Sequence, residues 1–149
     1  MEPLRNERKK LVVIESPVAG TSPDKDTRDR EVVRNIFYAR ACLRDSFTRG
    51  EYPFASHLLY TQLGVLNDND EAERRLGMEA RLAWVALALT TAVYNDLGIS
   101  SGMRVGIERA IAHGRTVEHR SLGSDWEEKQ RRFLEEHPHH PFANLYIPM

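Results

Sequence analysis

Two kinds of hydrophobic pattern alternate along the chain. Short apolar runs read as buried strands, and longer stretches with apolar residues at three- and four-residue steps read as helices. Leu11-Val12-Val13-Ile14 is a continuous, mostly β-branched run, the pattern of a strand covered on both faces. It gives way at Ser16-Pro17 to a loop rich in Gly, Ser, Pro and Asp that extends to Asp29. A first helix is predicted over 30–49, with the stripe Val32, Ile36, Ala39, Leu43 and Phe47, and Gly50 stops it. Pro53-Phe54-Ala55 reads as a second strand by position more than by propensity. Residues 57–62 read as a loop or single turn, and 64–70 as a loop dense in Asn and Asp. A second helix is predicted over 70–88, with acids in its first turn and the stripe Leu76, Ala80, Ala83 and Leu87. Residues 90–94 form a third strand, 95–101 a loop, 102–113 a third helix capped by Gly114, 115–118 a fourth strand and 125–135 a charged helix.

The order is β-α-β-α-β-α-β-α. Strands separated by helices of this length pair in parallel through right-handed crossovers. The expected class is therefore α/β, a three-layer flavodoxin- or Rossmann-like open parallel sheet of four to five strands. Such sheets bind ligands beyond the carboxyl ends of their strands. Residues 1–9 are expected to be a flexible tail, 10–123 the domain, and 124–149 a C-terminal helix and tail.

Composition narrows the class of partner. Apolar residues make up 41% of the chain and charged residues 29%, which fits one soluble domain. The formal net charge of −1 gives no electrostatic reason to prefer nucleic acid or an anionic membrane. With Cys42 as its single cysteine the chain has no internal disulfide, which fits a reducing, cytoplasmic compartment. Residues 1–10 are polar and charged, and the apolar run Leu82 to Ala92 is too short to span a membrane, so neither a leader nor a span is expected.

The segment Tyr94 to Arg104 is the most informative. A strand ends, a polar loop turns and a helix begins, so free N–H groups there would form an anion site. Ser101 is expected to cap the helix while its hydroxyl meets a phosphate, and Gly102 and Met103 complete the start; a plain serine cap is the simpler alternative. On the same edge, Glu15, Ser16 and Pro17 form either a pocket wall or merely the start of a loop. Ser56, His57 and Tyr60 follow the second strand, with His57 an acid, base or hydrogen-bond donor if it is not structural. Among carboxylates, Glu79, Asp96, Glu108 and Glu15 are the candidates for work at a sugar carbon. Glu108 also stands four residues from Arg104, as a helix ion pair would. His137, His139 and His140 read as part of a tail, lacking acids or cysteines at ligand spacing. Dinucleotide, P-loop and zinc motifs are absent from the sequence, so no cofactor is expected.

Several of these pieces together resemble the nucleoside 2-deoxyribosyltransferase-like families, uncharacterised bacterial and phage branches included. They are Val13-Ile14-Glu15-Ser16-Pro17, Asn35 with Ala39, Pro53 to Leu58, Glu79 to Trp84, Ser101-Gly102-Met103-Arg104 leading to Ile107-Glu108-Arg109-Ala110, and Gly114 to Leu122. The resemblance implies a nucleoside or nucleotide ligand, a homo-oligomer whose pocket a neighbouring subunit helps build, and chemistry at the N-glycosidic bond of a deoxyribonucleoside. Family enzymes use a glutamate nucleophile in a pattern like Glu-x-Gly-x-Ala. Aligned on Ala110, that position is Gly106, and the nearest acid, Glu108, lies about 200° around the helix. The family's acid three residues before the tryptophan falls on Arg81, and Trp84 belongs to the implied pocket frame. Standard deoxyribosyl transfer is therefore expected to be absent or very slow. Three readings stay open: an N-glycosidase using a displaced acid such as Asp96, a non-catalytic protein that senses or sequesters a nucleotide-derived ligand, or a structural interaction protein that uses its charged C-terminal helix. Gly106→Glu is expected to restore base exchange.

Overall fold

A computed structural model describes residues 9–138. Its elements run β1 (Leu11–Glu15), α1 (Lys25–Thr48), β2 (Tyr52–Phe54), α2 (Ser56–Leu59), α3 (Glu71–Val85), β3 (Thr90–Tyr94), α4 (Ser101–Ala112), β4 (Thr116–Arg120) and α5 (Trp126–Glu136). The four strands form one parallel sheet in the order β2-β1-β3-β4. The expected α/β open sheet is thus the observed one, with four strands.

Strand alternation sorts the core into two layers. Val12 and Ile14 of β1 and Ala92 and Tyr94 of β3 pack on Tyr38, Ala41 and Cys42 of α1 and on Trp126 of α5. The Trp126 ring meets Tyr38 edge-on at 4.9 Å. The opposite face carries Val13, which packs with Val85 and Ala88 at the end of α3 and with Phe54. α3 meets the sheet through this small cluster at its C-terminal end, and α4 covers the rest of that face with buried Met103 and Ala110.

Three element readings shift. Helix α1 begins at Lys25, because Asp24 accepts the Thr27 N–H at 2.9 Å and caps a polar first turn that carries no hydrophobic signal. Its buried residues are Asn35, Tyr38, Ala39, Ala41, Cys42 and Ser46, a face turned about one residue round from the expected stripe; Phe47 is exposed. Pro53 lies inside β2, which it can do because β2 is an edge strand. The larger difference is in α3. Its expected buried stripe points outward, with Leu76 at 55%, Leu87 at 62% and the neighbouring Trp84 at 58% exposure.

Beneath α1, a buried polar cluster stands where apolar packing would otherwise be. Arg120 donates to both carboxylate oxygens of Glu51 at 2.7 and 2.8 Å and to the Tyr94 hydroxyl at 3.2 Å. Ser46 donates to Glu51 at 2.8 Å and Tyr94 to Asp45 at 2.7 Å. The cluster ties β4, β3 and the start of β2 to the last turns of α1.

Candidate functional site

The strand order reverses direction between β1 and β3, since the chain first adds β2 on one side and later β4 on the other. At such a switch point the helices diverge to opposite faces and leave a crevice beyond the strand ends. Here that crevice is a cleft of about 610 Å³ between α3 and α4, walled by the loop after β1 and by α2. The volume suits a small ligand. Buried Asn35 shapes one wall by donating to the carbonyls of Val18 and Ala19 at 3.1 and 3.2 Å.

Glu15 is the acid at the base of the cleft. It is the last residue of β1, on the face toward α3 and α4, and is 7% exposed. Burial pushes its carboxyl pKa up, and the Arg81 guanidinium offsets this only in part. Arg81 reaches from α3 and donates to Glu15 Oε1 at 2.6 Å and to Ser56 Oγ at 2.9 Å. Gly106 explains how α4 comes close enough. A Cβ at position 106 would fall on the Glu15 carboxylate. Glycine inside a helix costs up to about 1 kcal/mol against alanine, so a packing reason is expected, and the acid from β1 supplies it.

Beside Glu15, Ser16 and His57 share a hydrogen bond at 2.8 Å between Oγ and Nε2. Burial and then the charge of Arg81 push the His57 ring down to about 4, so it is neutral at physiological pH. The start of α4 forms another part of the lining through Ser100, Ser101, Gly102 and Met103. The cap is Ser100, not Ser101: its Oγ accepts the Met103 N–H at 3.2 Å, and its own N–H donates to Met103 Sδ at 3.4 Å. Ser101 stands one position inside the helix, with its hydroxyl free of that duty.

Of the residues expected from the sequence, Glu15, Ser16, His57, Tyr60, Ser101, Gly102 and Met103 line this one cleft. Pro17 is buried and does not line it, and Glu79 is exposed on α3 outside it. Asp96 is elsewhere. Its carboxylate accepts from the Tyr38 hydroxyl at 2.5 Å, the Ser121 hydroxyl at 2.6 Å and the Leu122 and Gly123 N–H groups. Burial raises its pKa, but these donors outweigh that and hold it below the usual range. A carboxylate so fully used is a tie between β3 and the 121–123 loop, not a displaced acid for the cleft. Glu108 is exposed on α4, away from the lining, and forms no ion pair with Arg104. Trp84 stands outside the cleft, tilted against Phe54 at 6.3 Å.

Arg81, Arg109 and Ser100 also line the cleft, and nothing in the sequence pattern marks them for binding. Gly106, an interior helix glycine, was the available signal for the close approach of Glu15. His137 stacks on Phe133 at 4.7 Å, while His139 and His140 lie outside the described residues. Among the described residues, no helix is long and apolar enough to cross a membrane. No curated protein matches the chain. Residues 10–120 match one family, nearly the whole span from β1 to β4, and on that match the chain belongs to the family described as Domain of unknown function (DUF7768).

Proposed function

We propose that the cleft binds a nucleoside or nucleotide and that Glu15 supplies the carboxylate for breaking an N-glycosidic bond. The observation that carries this reading is the buried Glu15 carboxylate packed against the bare backbone of Gly106. By resemblance, position 106 would hold a glutamate nucleophile; here it holds no side chain, and a buried acid from β1 fills the space at its root. A second position agrees with the first. Arg81 stands where the resemblance places an acid, and it now pairs with the relocated one. A buried carboxylate in an otherwise cationic corner suits stabilisation of positive charge at a sugar C1′. The free N–H groups at the start of α4, with Arg109 one face along, suit a phosphate or other anionic end of the same ligand.

The test is release of free base from deoxynucleosides and their 5′-monophosphates, followed by chromatography. Wild-type protein should release base slowly, and Glu15→Gln should lower that rate by about 1,000-fold or more. Release unaffected by Glu15→Gln would remove the assignment. One observation favours a second reading. The 2.6 Å ion pair occupies Glu15 Oε1, which suits a protein that holds its ligand without cutting it. In that case thermal shifts with nucleotides appear, Arg81→Ala weakens them, and no base is released. The outward stripe of α3 supports a homo-oligomer as the assembled form.

A further inference from the structure

If Glu15 occupies the nucleophile's place and position 81 is an arginine, the cleft lacks a proton-handling group of the usual kind. The lining supplies one other pair suited to that work. Ser16 Oγ and His57 Nε2 are 2.8 Å apart, and both residues line the cleft next to Glu15. They come from different places, the residue just after β1 and the first turn of α2, so their meeting is a product of the fold rather than of local sequence.

We propose that Ser16 and His57 form a proton relay for the hydrolysis: the Ser16 hydroxyl contacts the attacking water and His57 receives the proton through it. This rests on the reading given under the proposed function. In the step, the water oxygen forms a bond to C1′ as the C1′–N bond breaks, and the bonding pair leaves on the base nitrogen. The water proton passes to Ser16 Oγ as the Ser16 proton passes to His57 Nε2. That proton then leaves His57 to neutralise the departed base, so atoms and charge balance without a further reactant. Glu15 stays ionised and faces the charge at C1′.

The ring environment fits the role. Relay requires Nε2 to accept the Ser16 hydrogen, which a neutral ring with its proton on Nδ1 does. The charged groups that line the cleft around the pair are Glu15 from β1, Asp68 before α3, Glu73, Arg74 and Arg81 from α3, and Arg109 from α4, with Tyr60 the neighbouring phenol. Burial, and then the charge of Arg81, keep the imidazole from holding a proton at rest. The relay is thus emptied after each turn.

The experiment measures kcat and KM for base release from deoxynucleoside 5′-monophosphates. His57→Gln keeps a hydrogen-bond partner for Ser16 and cannot accept a proton, so it separates shape from chemistry. The expected result is a kcat lowered by about 100- to 10,000-fold with KM little changed, because general-base contributions are of that size. His57→Ala should regain part of its rate with added imidazole, and Ser16→Ala/His57→Ala should not. Full kcat in His57→Gln, with wild type active and Glu15→Gln inactive, would overturn the relay and leave the reading of the cleft standing. A wild type that binds nucleotides but releases no base would overturn both the relay and the catalytic part of that reading.

Discussion

At the scale of single residues, the cleft is set by neighbours that make sense only together, with Glu15 held between Arg81 and the bare backbone of Gly106. Glu15 is buried with its pKa raised, so ionising it costs folding energy. The sign follows from linkage. A carboxyl whose folded pKa exceeds 4.5 favours the fold below that pH and disfavours it as pH rises through the folded value. Glu15→Gln is therefore expected to match or exceed wild type in melting temperature at neutral pH while losing base release, the signature of a residue kept for work rather than stability. His57 has the opposite linkage. Its folded value of about 4 lies below the ordinary 6.5, so its contribution is complete above pH 6.5 and is lost as pH falls toward 4. The loss is on the order of 3 kcal/mol. Urea melts at pH 7 and pH 4.5 should show it, and His57→Gln should flatten that difference. Gly106 couples to both. Because a side chain there meets the Glu15 carboxylate, Gly106→Glu alone is now expected not to restore a working acid. Even Gly106→Ala should destabilise by about 1–3 kcal/mol through overpacking. Glu15→Ala/Gly106→Glu is the exchange that the geometry allows.

At the scale of elements, the fold was legible wherever the hydrophobic pattern was unbroken. β3 has the bounds read from its apolar run, and β1 and α4 differ by a residue, because Leu11 to Ile14, Thr90 to Tyr94 and Gly102 to His113 carry period and punctuation together. The first turns of α1 were not legible, since Lys25 to Arg30 are all polar and the capping Asp24 sits among other turn-forming residues. The cleft was legible in half. Glu15, Ser16, His57 and the start of α4 follow from the rule that ligands sit at strand ends, but Arg81 was hidden on a helix whose facing could not be read. Asp96 misled because a strand-end acid is as suited to tying a loop as to catalysis. The cap illustrates the limit of one residue. Ser100→Ala should cost about 1 kcal/mol, and Ser101→Ala much less, measured by chemical denaturation. Polar burial beneath α1 predicts a larger effect. Arg120→Ala leaves Glu51, whose pKa the Arg120 hydrogen bonds hold low, as an unpaired buried charge, and about 3–5 kcal/mol of stability should go with it.

For the whole molecule, the outward apolar face of α3 is the feature that bears on assembly. An amphipathic helix normally turns its apolar stripe to the core. Here Leu76, Ala83 and Trp84 share about 100° of helix surface and face outward, with Leu87 exposed just past the helix end, while the other side carries Gly77, Arg81 and Val85. The inversion has a local cause. The sheet face beneath α3 ends in Glu15, and an arginine rather than a leucine is what that acid requires as neighbour. The apolar stripe is then left for something else to cover, and large exposed apolar patches mark association surfaces. A second copy is the partner the proposed function calls for, since α3 is at once the stripe and a wall of the cleft, so that association and ligand binding act on one helix. Light scattering at micromolar concentration is expected to give a dimer. Trp84→Lys and Leu87→Lys, both outside the cleft lining, should give a folded monomer with unchanged circular dichroism. That monomer should bind nucleotide more weakly, because an α3 anchored to the sheet chiefly by Val85 and Ala88 has lost its other support. A wild-type chain that stays monomeric at those concentrations, or a Lys variant that stays dimeric, would show that the stripe is not the contact.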